Sequence, residues 1–112
     1  MTLSLRQLHP LYGAELAGID LRDDFSDGQL AEIVSVLEEY AVGVVRHPAP
    51  LTNAEHIAFS RRLGPIEDAP VLTMKGIDPY KLRLPHHEIV DQSNLDDTGN
   101  IYAEDDRRLA FK

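Results

Sequence analysis

Cysteine is absent from the 112 residues, so the chain has no disulfide framework, no thiolate metal site and no cysteine nucleophile. Any metal would have to be held by His, Asp or Glu. Basic residues are few: 11 Lys and Arg stand against 19 Asp and Glu, a net charge of -8, with a pI near 4.9. The only adjacent basic pairs are Arg61-Arg62 and Arg107-Arg108. Phosphate backbones and anionic lipid surfaces need clustered Lys and Arg, so neither nucleic acid nor a membrane is expected as a partner. No apolar run approaches the roughly 20 residues that span a bilayer, and Met1 to His9 lacks the charged-then-apolar layout of a signal peptide. A soluble, cytoplasmic protein is the expectation. Internal repeats and low-complexity tracts are also missing.

What is present is globular composition, 43% hydrophobic and 27% charged, in a length that allows one domain or part of one. From Gly13 to Leu21 apolar and polar or small residues alternate, predicting a short strand with Leu16, Ile19 and Leu21 inward and a kink at Gly18. A helix start follows: Ser26 as N-cap, Gln29 three residues on as its capping-box partner, and Phe25 placed to staple against Leu30. Leu30, Ile33, Val34 and Leu37 then form one apolar stripe, and the helix should end near Tyr40. The β-branched run Val42-Gly43-Val44-Val45, bounded by Pro48 and Pro50, predicts a buried core strand.

Thr52-Asn53-Ala54-Glu55 repeats the capping-box spacing. The helix it opens should close at Leu63, with Arg61 and Arg62 in the last turn, Gly64 as C-cap and Pro65 beyond. Pro70, Gly76, Pro79 and Pro85 break periodicity, so a long loop is expected from Ile66 to Pro85, with one short strand at Val71 to Met74. A further strand is expected at Glu88-Ile89-Val90, then a turn through Asp96-Asp97-Thr98-Gly99-Asn100, and a weak helical pattern near Leu109.

Three blocks together resemble the opening of the taurine/2,4-dichlorophenoxyacetate (TauD/TfdA-like) family of Fe(II)/2-oxoglutarate-dependent dioxygenases. They are Gly13 to Leu21, Val42-Gly43-Val44-Val45-Arg46, and Leu51 to Pro65 with its terminal Arg-Leu-Gly-Pro; the third is the most specific. The resemblance implies an α+β fold, the front part of a double-stranded β-helix or jelly roll with two helices flanking short strands, incomplete as given. Residues 1–112 would be the N-terminal part of a single dioxygenase domain. The family's 2-His-1-carboxylate iron site begins in a Trp-His-Thr/Ser-Asp block. By this resemblance the stretch from Ser93 to Lys112 is the approach to that block, which would follow a few residues after Lys112. No catalytic residue and no metal ligand is therefore expected within the chain, which alone would be inactive.

For the complete enzyme the resemblance implies Fe(II) and 2-oxoglutarate as cofactor and cosubstrate, O2, a small organic acid as substrate, and a homo-oligomer. 2-Oxoglutarate would be oxidatively decarboxylated to succinate and CO2 as the substrate is hydroxylated; where the hydroxylated carbon bears an ether oxygen, the product collapses and the ether is cleaved. Loops after the second helix orient the substrate's anionic group in such enzymes, which makes Val71, Leu72, Lys75 and Asn94 the candidate substrate-binding residues. Taurine-type members place a His and a Tyr where this sequence has Ala69 and Leu72, so a less polar, phenoxyalkanoate-like substrate is expected rather than a sulfonate.

Blander readings stand beside these. Lys75 is also an ordinary solvated loop lysine, and Asn94 either hydrogen-bonds substrate or opens the Asn-Leu-Asp-Asp turn. His86-His87-Glu88 contains His-x-Glu but lacks the flanking Trp and precedes the expected ligand strand; a loop His pair is the simpler reading. His9, His47 and His56 are scattered and read as solvated. Asp96, Asp97, Glu104, Asp105 and Asp106 lack the spacing of a calcium loop. The rival class is a non-catalytic binding or oligomerisation module, because half a jelly roll exposes sheet edges that favour pairing with another chain.

Overall fold

The computed structural model describes residues 3–67, 83–84, 86–107 and 109. The elements are β1 (Ser4–Gln7), β2 (Ala14–Ala17), α1 (Asp27–Tyr40), β3 (Gly43–Val44) and α2 (Asn53–Leu63). The chain divides into two compact units, Met1–Pro65 and Ile66–Lys112, and all five elements lie in the first.

The three strands form one sheet in the order β1-β2-β3. β1 runs antiparallel to β2, with Arg6 opposite Glu15 and Leu5 opposite Leu16; β3 runs parallel to β2, with Ala14 opposite Gly43. A parallel neighbour requires a crossover, and α1 supplies it. β2 is the expected strand, trimmed to four residues: Leu16 is 2% exposed, and the chain turns away at Gly18 with φ +81°. Ile19 and Leu21, expected on the strand, lie past it and pack against the core as half-buried side chains. β1 is not foreseen from the sequence, and every residue in it is exposed.

Both capping boxes form. Ser26 accepts from the Gln29 N–H while the Gln29 side chain accepts from the Ser26 N–H, and Thr52 and Glu55 do the same for α2. Each box satisfies two backbone donors that a helix start would otherwise leave unpaired. Phe25 is buried ahead of α1, in one cluster with Ala14, Leu16, Ile33 and Val36, and Leu30 and Leu37 pack against that cluster. The inward stripe of α1 is thus centred on Ile33 and Val36, with Val34 only half-buried. A three-residue step from Ile33 reaches the same face as the four-residue step expected at Leu37.

α1 ends at Tyr40 as expected, but its C-cap is Ala41 at φ 64°, ψ -32°. The Val42 N–H donates to the Tyr40 carbonyl at 2.8 Å, a γ-turn of the rare positive-φ form, which is strained for a residue with a Cβ. That tight turn lets the Tyr40 carbonyl also accept from the Gly13 N–H at 2.8 Å, and the Val42 carbonyl from the Ala14 N–H at 2.9 Å, docking β3 against β2. β3 is half-buried rather than buried. Gly64 does cap α2, in extended backbone (φ 161°) and not in the left-handed region.

In the second unit, residues 88–90 form no strand. The Ile89 N–H reaches back to the His86 carbonyl at 3.2 Å, so the segment turns instead. The expected turn at Asp96–Asn100 is present, flanked by an antiparallel bridge between Leu95 and Ile101. Near Leu109 the helical pattern amounts to a single short turn, in which the Leu109 N–H donates to the Asp106 carbonyl. The strand expected at Val71 to Met74 lies outside the described residues.

Candidate functional site

Of the four candidate substrate-binding residues, Val71, Leu72 and Lys75 lie outside the described residues. Asn94 is described. It opens a tight hairpin in the second unit, where its carbonyl accepts from the Tyr102 N–H at 2.8 Å. Its side chain is exposed.

The hairpin is closed by one carboxylate. Asp96 Oδ1 accepts from the Thr98 N–H at 2.9 Å, from Thr98 Oγ1 at 2.7 Å and from the Asn100 N–H at 2.9 Å. Thr98 Oγ1 in turn accepts from Asn100 Nδ2 at 2.8 Å. The backbone adds Gly99 N–H to Asp96 O at 3.0 Å and Asp96 N–H to Asn100 O at 2.8 Å. Gly99 sits at φ +86°, a conformation that glycine alone takes without strain. An aspartate that accepts from the backbone two and four residues on is the Asx logic that makes Asp-rich turns tight.

Upstream, Arg83 Nε pairs with Asp91 Oδ2 at 2.8 Å, both side chains partly buried, and that hydrogen bond holds the guanidinium pKa above its ordinary value. In the His86-His87-Glu88 run, His87 Nδ1 lies 3.6 Å from Glu88 Oε2, adjacent in a turn rather than on one strand face.

The first unit carries a charged clasp that joins its loops. Arg22 pairs with Asp20 at 3.2 Å and Glu55 at 3.4 Å, and donates to the Ala49 carbonyl at 3.0 Å. This ties the segment after β2 to the segment before α2. Glu15 joins β1 to the end of β3 by accepting from Arg6 at 2.6 Å and Arg46 at 3.2 Å. Arg62 in the last turn of α2 donates to the Phe25 carbonyl at 2.6 Å. His47, read from sequence as solvated, is not: its side chain is 10% exposed, and its Nε2 is buried with no hydrogen-bond partner among the described residues. The Pro48 bend turns the ring inward against Asp20, 3.6 Å from Nδ1.

Three carboxylates in this clasp hold their protons less tightly than usual. Glu15 lies below its ordinary 4.5 because Arg6 and then Arg46 hydrogen-bond it. Asp20 lies below 3.8 chiefly through the Arg22 N–H, and Glu55 below 4.5 chiefly through the Thr52 N–H. A carboxylate with a depressed folded-state pKa binds fewer protons folded than unfolded. Its stabilisation is therefore present above the ordinary value and lost as pH falls through the folded value. Urea unfolding of the wild type should show stability declining below about pH 4.5, and Glu15→Gln, Asp20→Asn and Glu55→Gln combined should flatten that decline. An unchanged slope in the triple variant would remove these groups from the account.

Among the described residues, no group of three His, Cys, Asp or Glu is placed to hold a metal ion, and no helix is long and apolar enough to cross a membrane.

The sequence profile described as "Taurine catabolism dioxygenase TauD, TfdA family" matches residues 4–106. The alpha-ketoglutarate-dependent 2,4-dichlorophenoxyacetate dioxygenase of Cupriavidus pinatubonensis (strain JMP 134 / LMG 1197) is 30% identical over 109 residues, 97% of this chain. The chain spans about a third of that relative's length, 36%. Among solved structures, AAD-2 in complex with Mn(II) and N-oxalylglycine superposes with a TM-score of 0.72 at 28% identity, covering 97% of this chain and 32% of that one. A putative alpha-ketoglutarate-dependent taurine dioxygenase from Burkholderia xenovorans gives 0.57 at 30% identity, covering 62% of this chain and 25% of that one.

Proposed function

The chain belongs to the taurine catabolism dioxygenase TauD, TfdA family, and we propose on that basis that it is the N-terminal part of a single jelly-roll dioxygenase domain. The complete enzyme uses Fe(II), 2-oxoglutarate and O2 to hydroxylate a small organic acid. The observation that carries this reading is the reach of the likeness, since 97% of the chain is covered both by the 2,4-dichlorophenoxyacetate dioxygenase and by the structure holding Mn(II) and N-oxalylglycine. N-oxalylglycine has the 2-oxo dicarboxylate skeleton of 2-oxoglutarate, with NH in place of one CH2.

The described residues do not fit an iron site, because they bring no three ligand side chains together. No step of the reaction is assigned to them through the metal, whose ligands we place outside the described residues. The part given to this chain is scaffold and substrate contact. Val71 and Leu72 offer apolar surface to an aromatic ring, Lys75 a charge for its carboxylate, and Asn94 an exposed carboxamide for a hydrogen bond, the usual division of an apolar pocket with a few polar groups. A phenoxyalkanoate fits this set better than taurine, because Ala69 and Leu72 cannot supply the polar groups that taurine-type members place there.

The test is turnover by the complete enzyme with Fe(II) and 2-oxoglutarate, offering 2,4-dichlorophenoxyacetate and taurine in parallel. One oxygen atom of O2 enters succinate and the other the ether carbon, after which the hemiacetal collapses to 2,4-dichlorophenol and glyoxylate. Succinate with stoichiometric phenol is expected. Sulfite release from taurine instead would overturn the substrate class, and no succinate under any condition would overturn the oxygenase reading in favour of a non-catalytic module.

A further inference from the structure

The geometry points to Asp96 as a positioning residue that sets Asn94 for substrate through the hairpin it closes; this rests on the reading of Asn94 as a substrate contact. Asn94 itself is held only by its backbone, through the Tyr102 N–H, while its carboxamide is exposed and has no hydrogen-bond partner among the described residues. The direction of that carboxamide therefore follows the path of the backbone segment it sits on. That path is set by a short ladder: Asn94 with Tyr102, the Leu95–Ile101 bridge, and Asp96 with Asn100.

A two-stranded hairpin this short is marginally stable at best in water. The turn adds the missing restraint, with three donors converging on Asp96 Oδ1 within 2.9 Å and Thr98 Oγ1 passing the bond on to Asn100. Bonds to an ionised acceptor are about twice as strong as neutral ones. With the carboxylate removed, the Thr98 and Asn100 N–H groups return to water. Only the two backbone bonds, Asp96 N–H to Asn100 O and Gly99 N–H to Asp96 O, then hold the turn, and the register at Asn94 loosens. A polar contact on an exposed hairpin has to be held to within about 0.5 Å by neighbouring hydrogen bonds if it is to orient a substrate.

The experiment uses the complete enzyme with 2,4-dichlorophenoxyacetate as the probe. Substrate kcat/KM, the KM for 2-oxoglutarate, and the ratio of phenol to succinate are measured for Asp96→Ala, Asp96→Asn, Asn94→Ala and the Asp96→Ala/Asn94→Ala double variant. Misplacing a positioned contact costs up to about 100-fold. Asp96→Ala should therefore lower substrate kcat/KM by about 10-fold or more and uncouple succinate from phenol, while the KM for 2-oxoglutarate stays put. Asp96→Asn keeps an acceptor oxygen for the Thr98 and Asn100 N–H groups and should recover most of the loss. Asn94→Ala should reproduce it, and the double variant should be no worse than Asn94→Ala, because both act at one contact.

An impaired Asn94→Ala beside a normal Asp96→Ala overturns the inference and leaves the Asn94 reading standing. Losses that add in the double variant, or that affect 2-oxoglutarate equally and are not rescued by Asp96→Asn, also overturn it as a general loss of fold. A normal Asn94→Ala overturns the substrate reading beneath it and the inference with it.

Discussion

Replacing Phe25 by alanine should destabilise the first unit by about 4 kcal/mol, the largest loss expected from any single truncation among the described residues. The ring is 3% exposed and sits between the end of the β2 loop and the start of α1, where it shares the core with Leu16, Ile33 and Val36. It also meets Phe59 of α2 edge to face, centroids 6.2 Å apart and planes at 74°, an arrangement that adds about 1 kcal/mol beyond the buried area. The Phe25 carbonyl that receives Arg62 is backbone and survives the substitution, so the measured loss reads the side chain alone. Urea unfolding followed by far-UV circular dichroism gives the value. A loss under about 1 kcal/mol would mean that the site collapses around the missing ring, and that the two helices are held by the clasp and not by the core.

The buried Phe25 ahead of α1 was readable because its signal is local. Ser26-Asp27-Gly28-Gln29 and Thr52-Asn53-Ala54-Glu55 each announce a helix start within four residues, and both boxes close as the spacing requires. Leu16 and the bend at Gly18 were readable for the same reason. β1 was not, since Ser4-Leu5-Arg6-Gln7 is exposed throughout and so carries no core-facing alternation; it exists because β2 offers it a partner, with Arg6 opposite Glu15. Glu88-Ile89-Val90 shows the converse. Its apolar pair looked like a strand, but β propensity expresses packing on a neighbour, and the segment turns back on His86 instead.

Of the candidate site, only the turn beside Asn94 falls among the described residues, and that turn was legible to a similar depth. The turn at Asp96 to Asn100 follows from its residue types, and Asn94 at its mouth with it. That a single oxygen of Asp96 collects three donors depends on backbone that no spacing rule specifies. His47 was misread because a lone histidine before a proline has no periodic context. Its inward orientation against Asp20 arises from contacts between segments 27 residues apart, the same separation that Arg22 bridges to Ala49.

Gly43 is the position where the sequence hides most and where a side chain should cost most after Phe25. It sits in β3 opposite Ala14, and a Cβ there would lie 3.0 Å from both Leu16 Cδ1 and Leu37 Cδ2. Glycine is needed because the sheet and α1 approach each other across it, not because of its dihedral freedom. The two clashing atoms are ends of flexible side chains, and an apolar cavity of about 250 Å³ lined by Leu16, Leu37 and Phe59 lies alongside. Alanine should therefore be partly absorbed. Valine adds two more methyl groups into the same gap, and Gly43→Val should cost about 2 kcal/mol, within the usual range for overpacking. Leu37→Ala removes one of the two opposing methyl groups, so Gly43→Val should cost distinctly less in that background than in the wild type, a coupling that a double-mutant cycle in urea reads directly. Strictly additive losses would place the strain elsewhere on β3. The strand leads through Arg46 and its bond to Glu15 into the His47 bend, so strain there would point to the clasp, and not the core, as what fixes β3 against β2.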